Sequence, residues 1–354
     1  MSEPDMVITG LGMVSSIGND WTQSCAAHRA GFNQFMEYED YFPENEELDF
    51  SEPAPLIGAR SPYYGTDMEN SRAPRLALPA LQELIHSANI GRDLFDKTDM
   101  LVTVATGSRS EIEAEVTREY TKKLLSFSKN ALGIREIIKA EHTGFPVLLS
   151  IAREKMLKEN KQCCVLLTVD SYHYPETLAV LDKNKRIKSK RTKDGFIPGE
   201  AAVAVLVETY EHALGRKANI KAHIESVSHA REENTIFSDK PSSGNGLAKV
   251  IKNVCIASNN YLPEWVLCDL NGESYRAFEW GMAQVKLSNE FSKLKTVWHP
   301  ADCFGDVGAS SGAVMMGIVI KAFEKKYAPS QQALILCSED DGKRAAFVVK
   351  AANS

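Results

Sequence analysis

The chain has 354 residues, 44% of them apolar and 25% charged, with a formal net charge of −6 at neutral pH. That length supports one large domain or two fused halves with buried cores, and the composition is that of a globular protein. A net negative charge argues against nucleic-acid binding, and no apolar run is long enough to span a bilayer, so no membrane partner is expected.

The N-terminal "MSEPDMVITG" is acidic and leads straight into a strand pattern. It has none of the charged and apolar stretches of a signal peptide, so a cytoplasmic protein is expected. The seven cysteines are scattered, apart from adjacent Cys163 and Cys164, and lack CxxC spacing. Reduced thiols are expected, with no metal site and no cofactor.

Residues 6–12, "MVITGLG", form a β-rich run ending in glycines. Residues 71–90 carry apolar residues at helical spacing around Leu76, Leu78, Leu81, Leu84 and Ile85. A nearly continuous apolar strand follows at 99–108, then a helix at 145–158 with Pro146 near its start, where proline is tolerated. Strands are expected at 162–171 and 199–209. Between them, the basic run 182–194 sits among turn signals and is expected to be a solvated loop.

The second part repeats the theme. Strand patterns fall at 218–230, 264–272, 295–300, 333–339 and 345–351, and helix patterns at 246–259, 275–290 and 311–325. The stretch 238–246, "SDKPSSGNG", is expected to be a surface loop. Apolar strands alternating with helices predict an α/β protein whose sheets are covered on both faces. The tandem arrangement suggests an internal duplication, although no residue-level repeat is visible.

Three ordered stretches carry a resemblance. They are "VITGLGMVSSIGNDWTQSCAAHRAG" (7–31), "KDGFIPGEAAVAVLVE" (193–208) and "GDVGASSGAVMMGIVIKAF" (305–323). Together they resemble the β-ketoacyl-acyl-carrier-protein synthases of the thiolase superfamily, over nearly the whole chain, though 109–140 looks short. The resemblance implies a layered αβαβα thiolase-like fold from two duplicated halves, 1–208 and 209–354. It also implies a two-fold dimer through the strand "CCVLLTV" (163–169). Gly10, Gly12 and Gly18 are expected to permit tight strand-to-helix turns, and Gly305, Gly308 and Gly312 close backbone approach at a helix start.

The family's condensing chemistry needs a cysteine nucleophile at a helix N-terminus, where the dipole and backbone N–H groups lower its pKa and hold the oxyanion, and two histidines. By resemblance, the cysteine position falls on Glu141 in "EHTG", the first histidine position on Asn271 in "DLNGES", and the second on Asp306 in "FGDVGASSG". No slip of register restores the nucleophile or the first histidine: no cysteine lies between Cys25 and Cys163, and no histidine between His229 and His299. No catalytic residue is therefore assigned, and Glu141, Asn271 and Asp306 mark a degenerate triad. Cys163 and Cys164 are expected in the core, His299 at a strand end, and Glu141 as a helix cap.

Three readings follow. One is a non-condensing ketosynthase-like protein for binding or assembly. Several phrases, "DLNGESYRAFEWG" among them, resemble a thiolase-like subgroup linked to type VI secretion clusters, which implies an accessory of a secreted effector protein. The second is a chain-length-factor-like subunit pairing with an active ketosynthase and an acyl carrier protein. The third is an acyltransferase-related enzyme using carboxylates among Glu141, Asp269, Glu273 and Asp306. A homodimer, or a heterodimer with a ketosynthase-like chain, is expected.

Overall fold

The computed structural model describes residues 5–38, 56–61, 72–91, 98–105, 134–189 and 192–352. Most of the stretch that looks short against the family, 109–133, lies outside the described residues.

The first half contains β1 (Met6–Ser15), α1 (Trp21–Arg29), a small ribbon of β2 (Phe35–Glu37) and β3 (Ile57–Ala59), α2 (Arg72–Ser87), β4 (Asp99–Val104), β5 (Ile134–Lys139), α3 (Gly144–Lys158), β6 (Cys163–Ser171), α4 (Pro175–Lys183) and β7 (Glu200–Thr209). A short helix, α5 (Tyr210–Gly215), leads into β8 (Ala222–Arg231), α6 (Asn245–Ala257), β9 (Trp265–Cys268), α7 (Ser274–Lys286), β10 (Thr296–Trp298), α8 (Ala301–Phe304), α9 (Ser311–Glu324), β11 (Gln332–Ser338) and β12 (Lys343–Ala351).

The ten large strands form one sheet in which the same arrangement occurs twice. The first five large strands lie in the order β5-β4-β6-β7-β1 and the last five in the order β10-β9-β11-β12-β8. Each set has three parallel neighbours followed by two antiparallel ones. The sets meet where β1 pairs β8, with Met6 opposite Ile224 and Ile8 opposite Ala222.

Side-chain alternation explains the layers. In β7, Val203, Val205 and Val207 face a core shared with Phe145 and Leu148 of α3 and Ile318 of α9. Their neighbours Ala202, Ala204 and Leu206 face Leu76, Ala80 and Leu84 of α2. In the second half Leu267, Ile335 and Phe347 join the shared core, whereas Val266, Leu334 and Val348 pack under Val250 and Val254 of α6 and Trp280 of α7. The result is helix, sheet, helix, sheet, helix. Helix α9 lies in the middle and is buried from Ser311 to Ala322, so its sequence is apolar on every side.

Two expectations are corrected here. Gly10 and Gly12 lie inside β1, not in a turn. A Cβ on Gly12 would sit 2.1 Å from the Ala80 carbonyl oxygen, so glycine is there to let α2 rest on the strand backbone. The strand 163–169, expected at a dimer edge, is the interior strand β6, paired with β4 and β7 on its two sides. Among the described residues, the edges are β5 and β10.

Candidate functional site

The chain segments that follow β5, β9 and β11, together with the turn before α9, converge on one buried polar cluster. Loops beyond the carboxyl ends of parallel strands are the usual place for binding chemistry in such sheets. The turn after β5 supplies Glu141, His142 and Thr143, and β9 leads into Asp269, Asn271 and Glu273. The strand β11 leads into Glu339 and Asp340, and Asp306 comes from the turn before α9. That turn requires glycine: Gly305 has φ +70° and a Cβ there would meet the Ile197 carbonyl oxygen at 2.8 Å.

Asp306 is the hub. His142 Nε2 lies 2.9 Å from its Oδ1 and 3.1 Å from its Oδ2. Asn271 Nδ2 donates to Oδ2 at 2.7 Å, and the Gly308 N–H donates to Oδ1 at 2.9 Å. Both His142 and Asp306 are buried. Burial alone would push the His142 pKa down, but the adjacent Asp306 carboxylate outweighs it and raises the value to about 9. Burial would likewise raise Asp306, yet His142, Arg276 and Asn271 hold it well below the usual carboxylate range. The adjacent carboxylate favours an imidazolium at neutral pH, and against it stands the buried His142 Nδ1, which has no hydrogen-bond partner among the described residues.

Two arginines tie the remaining acids together. Arg186 binds both Glu273 and Asp340, the latter at 3.0 Å. Arg276 donates to the Ser338 carbonyl at 2.6 Å and to Asp340 at 3.0 Å, and sits 3.4 Å from both Asp269 and Glu273. Asp269 also accepts the Ser338 N–H at 2.6 Å. Arg186 belongs to the basic run expected to be a solvated loop; that reading is corrected for this residue, whose part-buried side chain is held between two carboxylates.

Glu141 stands beside this cluster and is 6% exposed. Its backbone N–H donates to Glu339 Oε1 at 3.0 Å, and the Thr143 hydroxyl donates to the same oxygen. Its carbonyl accepts the Gly144 N–H at 2.8 Å, a main-chain contact with the start of α3. Its side chain lines a cavity of about 310 Å³ whose other walls include Tyr172, Leu181 and Phe196.

The structure thus joins Asn271 and Asp306 directly and places Glu141 one residue from the histidine that completes their network. His142 was not singled out by the sequence. Its signal was present in "EHTG", next to the nucleophile position, but a search for thiol or hydroxyl groups passes over an imidazole. The carboxylates Asp269, Glu273 and Asp306 are committed to arginine, histidine or amide donors, which leaves no pair sharing a proton. His299 does not reach the cluster's small internal space, which Pro300 and Ala301 wall on that side. Cys163 and Cys164 are buried in β6, and burial raises both thiols, Cys164 to about 12. Among the described residues no His, Cys, Asp and Glu group is arranged to hold a metal ion.

The chemical consequences are specific. A protonated His142 locked to Asp306 is not a general base near neutral pH. The Glu141 amide, just before the start of α3, donates to the Glu339 carboxylate. The space lined by His142, Asn271 and Asp306 is about 20 Å³, close to what one water needs.

No protein-family model matches the chain, and no curated protein sequence matches it. Its fold does recur among solved ketosynthases. An oxazolomycin ketosynthase domain of Streptomyces albus JA3453 superposes with a TM-score of 0.79 at 13% identity, covering 99% of this chain and 74% of that one. A type II polyketide ketosynthase, solved with its acyl-carrier protein, gives 0.79 at 15% identity over 99% and 100% of the two chains. The ishigamide ketosynthase/chain length factor gives 0.78 at 14% identity over 99% and 100%. The chain therefore has a thiolase-like, ketosynthase fold of mixed α/β type. At these identities the fold is what is shared.

Proposed function

We propose that this protein is a non-condensing member of the ketosynthase fold that works by binding or assembly. The observation behind the proposal is the closed His142–Asp306–Asn271 network at the position where the resemblance implies the histidine pair. A malonyl unit needs far more room than the 20 Å³ beside it. The resemblance of "DLNGESYRAFEWG" to a subgroup linked to type VI secretion makes an effector protein the partner of choice. The two-half division near residues 208 and 209 belongs to the same reading, as does pairing with itself or with a ketosynthase-like chain. With β6 interior, β5 is the first-half edge among the described residues and the strand we assign to such pairing.

The test is intact-mass analysis after incubation with acyl-carrier thioesters and malonyl units. No acyl adduct and no condensation product are expected. A covalent adduct mapping to residues 141–150 would overturn the proposal. Light scattering at micromolar concentration addresses pairing, and a strict monomer would remove the dimer from it.

The carboxylate-acyltransferase reading gains no support from a cluster whose acids are all engaged. The chain-length-factor reading draws on the missing nucleophile and the shared fold, and the cavity beside Glu141 is acidic at one end where an acyl chain would want apolar walls throughout.

A further inference from the structure

The cavity of about 310 Å³ beside Glu141 has two unlike ends. One wall is apolar: Tyr172 and Phe196 are in ring contact at 5.2 Å, with Val180 and Leu181 of α4 alongside. The other end carries carboxylates whose charges are already met within the protein. Lys343 lies 3.0 Å from Glu339 and 2.8 Å from Asp341, and Asp340 is held at 3.0 Å by both Arg186 and Arg276. Glu141 has a partner of its own. An entering cation would compete with these three fixed cations, and an entering anion would face the carboxylates. Either charge would lose its water without gaining a counter-ion, so the cavity selects a neutral occupant.

The mouth shows what kind of occupant. Phe237 lines it and is 73% exposed. Its loop rests on α7, where the Tyr275 hydroxyl donates to the Asn234 carbonyl at 2.6 Å. On the same side of α7, three residues on, Phe278 is 48% exposed. Apolar surface therefore lies outside the cavity as well as in it, more than a small molecule filling the cavity would cover. Asn184 also lines the cavity, and its exposed side-chain amide is a neutral donor and acceptor of the kind that pairs with peptide main chain.

We infer that this cavity is the anchor pocket for a partner polypeptide, taking one large neutral side chain, phenylalanine or leucine in size, from an uncharged stretch of that partner. The side chain lies on Tyr172, Phe196 and Leu181, the flanking main chain meets the Asn184 amide, and Phe237 is covered on binding. Anchors of this kind, seated in a pocket, carry most of the energy of an interface. The volume lies at the lower end of small-ligand sites, which suits a side chain better than a whole cofactor. The inference gives the proposed binding role a docking point and rests on that role for its biological use.

The experiment is ligand-detected NMR titration of the full chain with capped pentapeptides Gly-Gly-X-Gly-Gly, where X is Phe, Leu, Lys or Glu, and with N-acetylphenylalaninamide. The Phe and Leu peptides are expected to bind, and the Lys and Glu peptides are not. N-acetylphenylalaninamide has the same side chain without the flanking main chain and is expected to bind more weakly than the Phe peptide. Two exposed positions provide variants that fold. Phe237→Ala is expected to weaken the Phe peptide about fivefold through lost ring contact. Asn184→Ala is expected to weaken it about two- to threefold through a lost hydrogen bond. No binding of the Phe peptide, equally tight binding of the Lys or Glu peptide, or unchanged affinity in Phe237→Ala would overturn the inference. Equal affinity for N-acetylphenylalaninamide would make the cavity a small-molecule site and overturn it too. Failure of the non-condensing reading is seen separately, as an acyl adduct by intact mass, and would leave these titrations as they are.

Discussion

His142 shows how one residue can convert a scaffold. Under the proposed reading Glu141 stands where a nucleophile would, and His142 does more, because it lies in the cleft against the Asp306 carboxylate. Breaking a buried pair by deleting one partner strands the other charge. His142→Ala is therefore expected to cost about 3–5 kcal/mol of stability, read from denaturant or thermal unfolding. His142→Gln keeps a donor toward Asp306 and should cost clearly less; equal losses for the two variants would mean that packing, and not the pair, is what matters. Glu141→Cys addresses the other half of the site. It places a thiol at the nucleophile position but leaves His142 bound to Asp306 and the Glu339 carboxylate on the residue 141 amide. No stable acyl group should appear on it by intact mass. An acylated Glu141→Cys protein would show that Glu141 alone had silenced the chemistry.

At the scale of elements, glycines reveal where chains touch. Gly12 and Gly312 both belong to stretches that carry the family resemblance, yet they face different demands. A Cβ on Gly12 would press on main chain, 2.1 Å from the Ala80 oxygen and 2.7 Å from the Leu84 nitrogen. A Cβ on Gly312 would meet only side-chain atoms of Cys337, Phe145 and Pro146, each at 3.2 Å. Gly12→Ala should then cost about 1–3 kcal/mol, because α2 must lift from β1. Gly312→Ala should stay within about 1 kcal/mol of the parent, since alanine's gain in helix propensity offsets mild crowding. Thermal melts of the two variants decide it, and a reversed order would refute the account. The same elements show what was legible beforehand. Long apolar strands such as β6 and β7 announced themselves because both of their faces are buried, and the helices α6, α7 and α9 came out within a few residues of their patterns. What pairs across the chain was not legible. Asp306 meets a histidine 164 positions away, and Arg186 looks like one more solvated cation until β11 and α7 bring Asp340 and Glu273 to it. Edge and interior strands were likewise confused, because burial on both faces says nothing about who stands alongside.

At the scale of the molecule, the histidines set the pH at which the fold is most stable. His173 is buried and His28 half-buried, and desolvation lowers both to about 4, so they stay neutral in the folded chain over a range where the unfolded chain takes up protons. Below the unfolded value near 6.5, the unfolded state binds about two more protons through them, and stability should fall with decreasing pH by roughly 2.7 kcal/mol per unit, about 1.4 for each site. Glu200, Glu208, Asp340 and Asp306 have lowered values, so their contribution is present above about pH 4 and drains away below it, steepening the same limb. His142 acts in the opposite direction. Its folded value near 9 means that its contribution is complete below about 6.5 and is lost as pH rises toward 9, at roughly 1.4 kcal/mol per unit. Stability should therefore peak near pH 6.5, and above about pH 8 the seven thiols, all raised by burial, add to the loss that His142 starts. Unfolding free energies measured from pH 4 to 9.5 test the shape. In His142→Gln the loss between pH 7 and 8 should shrink while the acid limb persists, because His28 and His173 are untouched. A parent protein with no loss of stability between pH 7 and 9 would show that His142 is not held as an imidazolium, and the charged network proposed to close the site would fail with it.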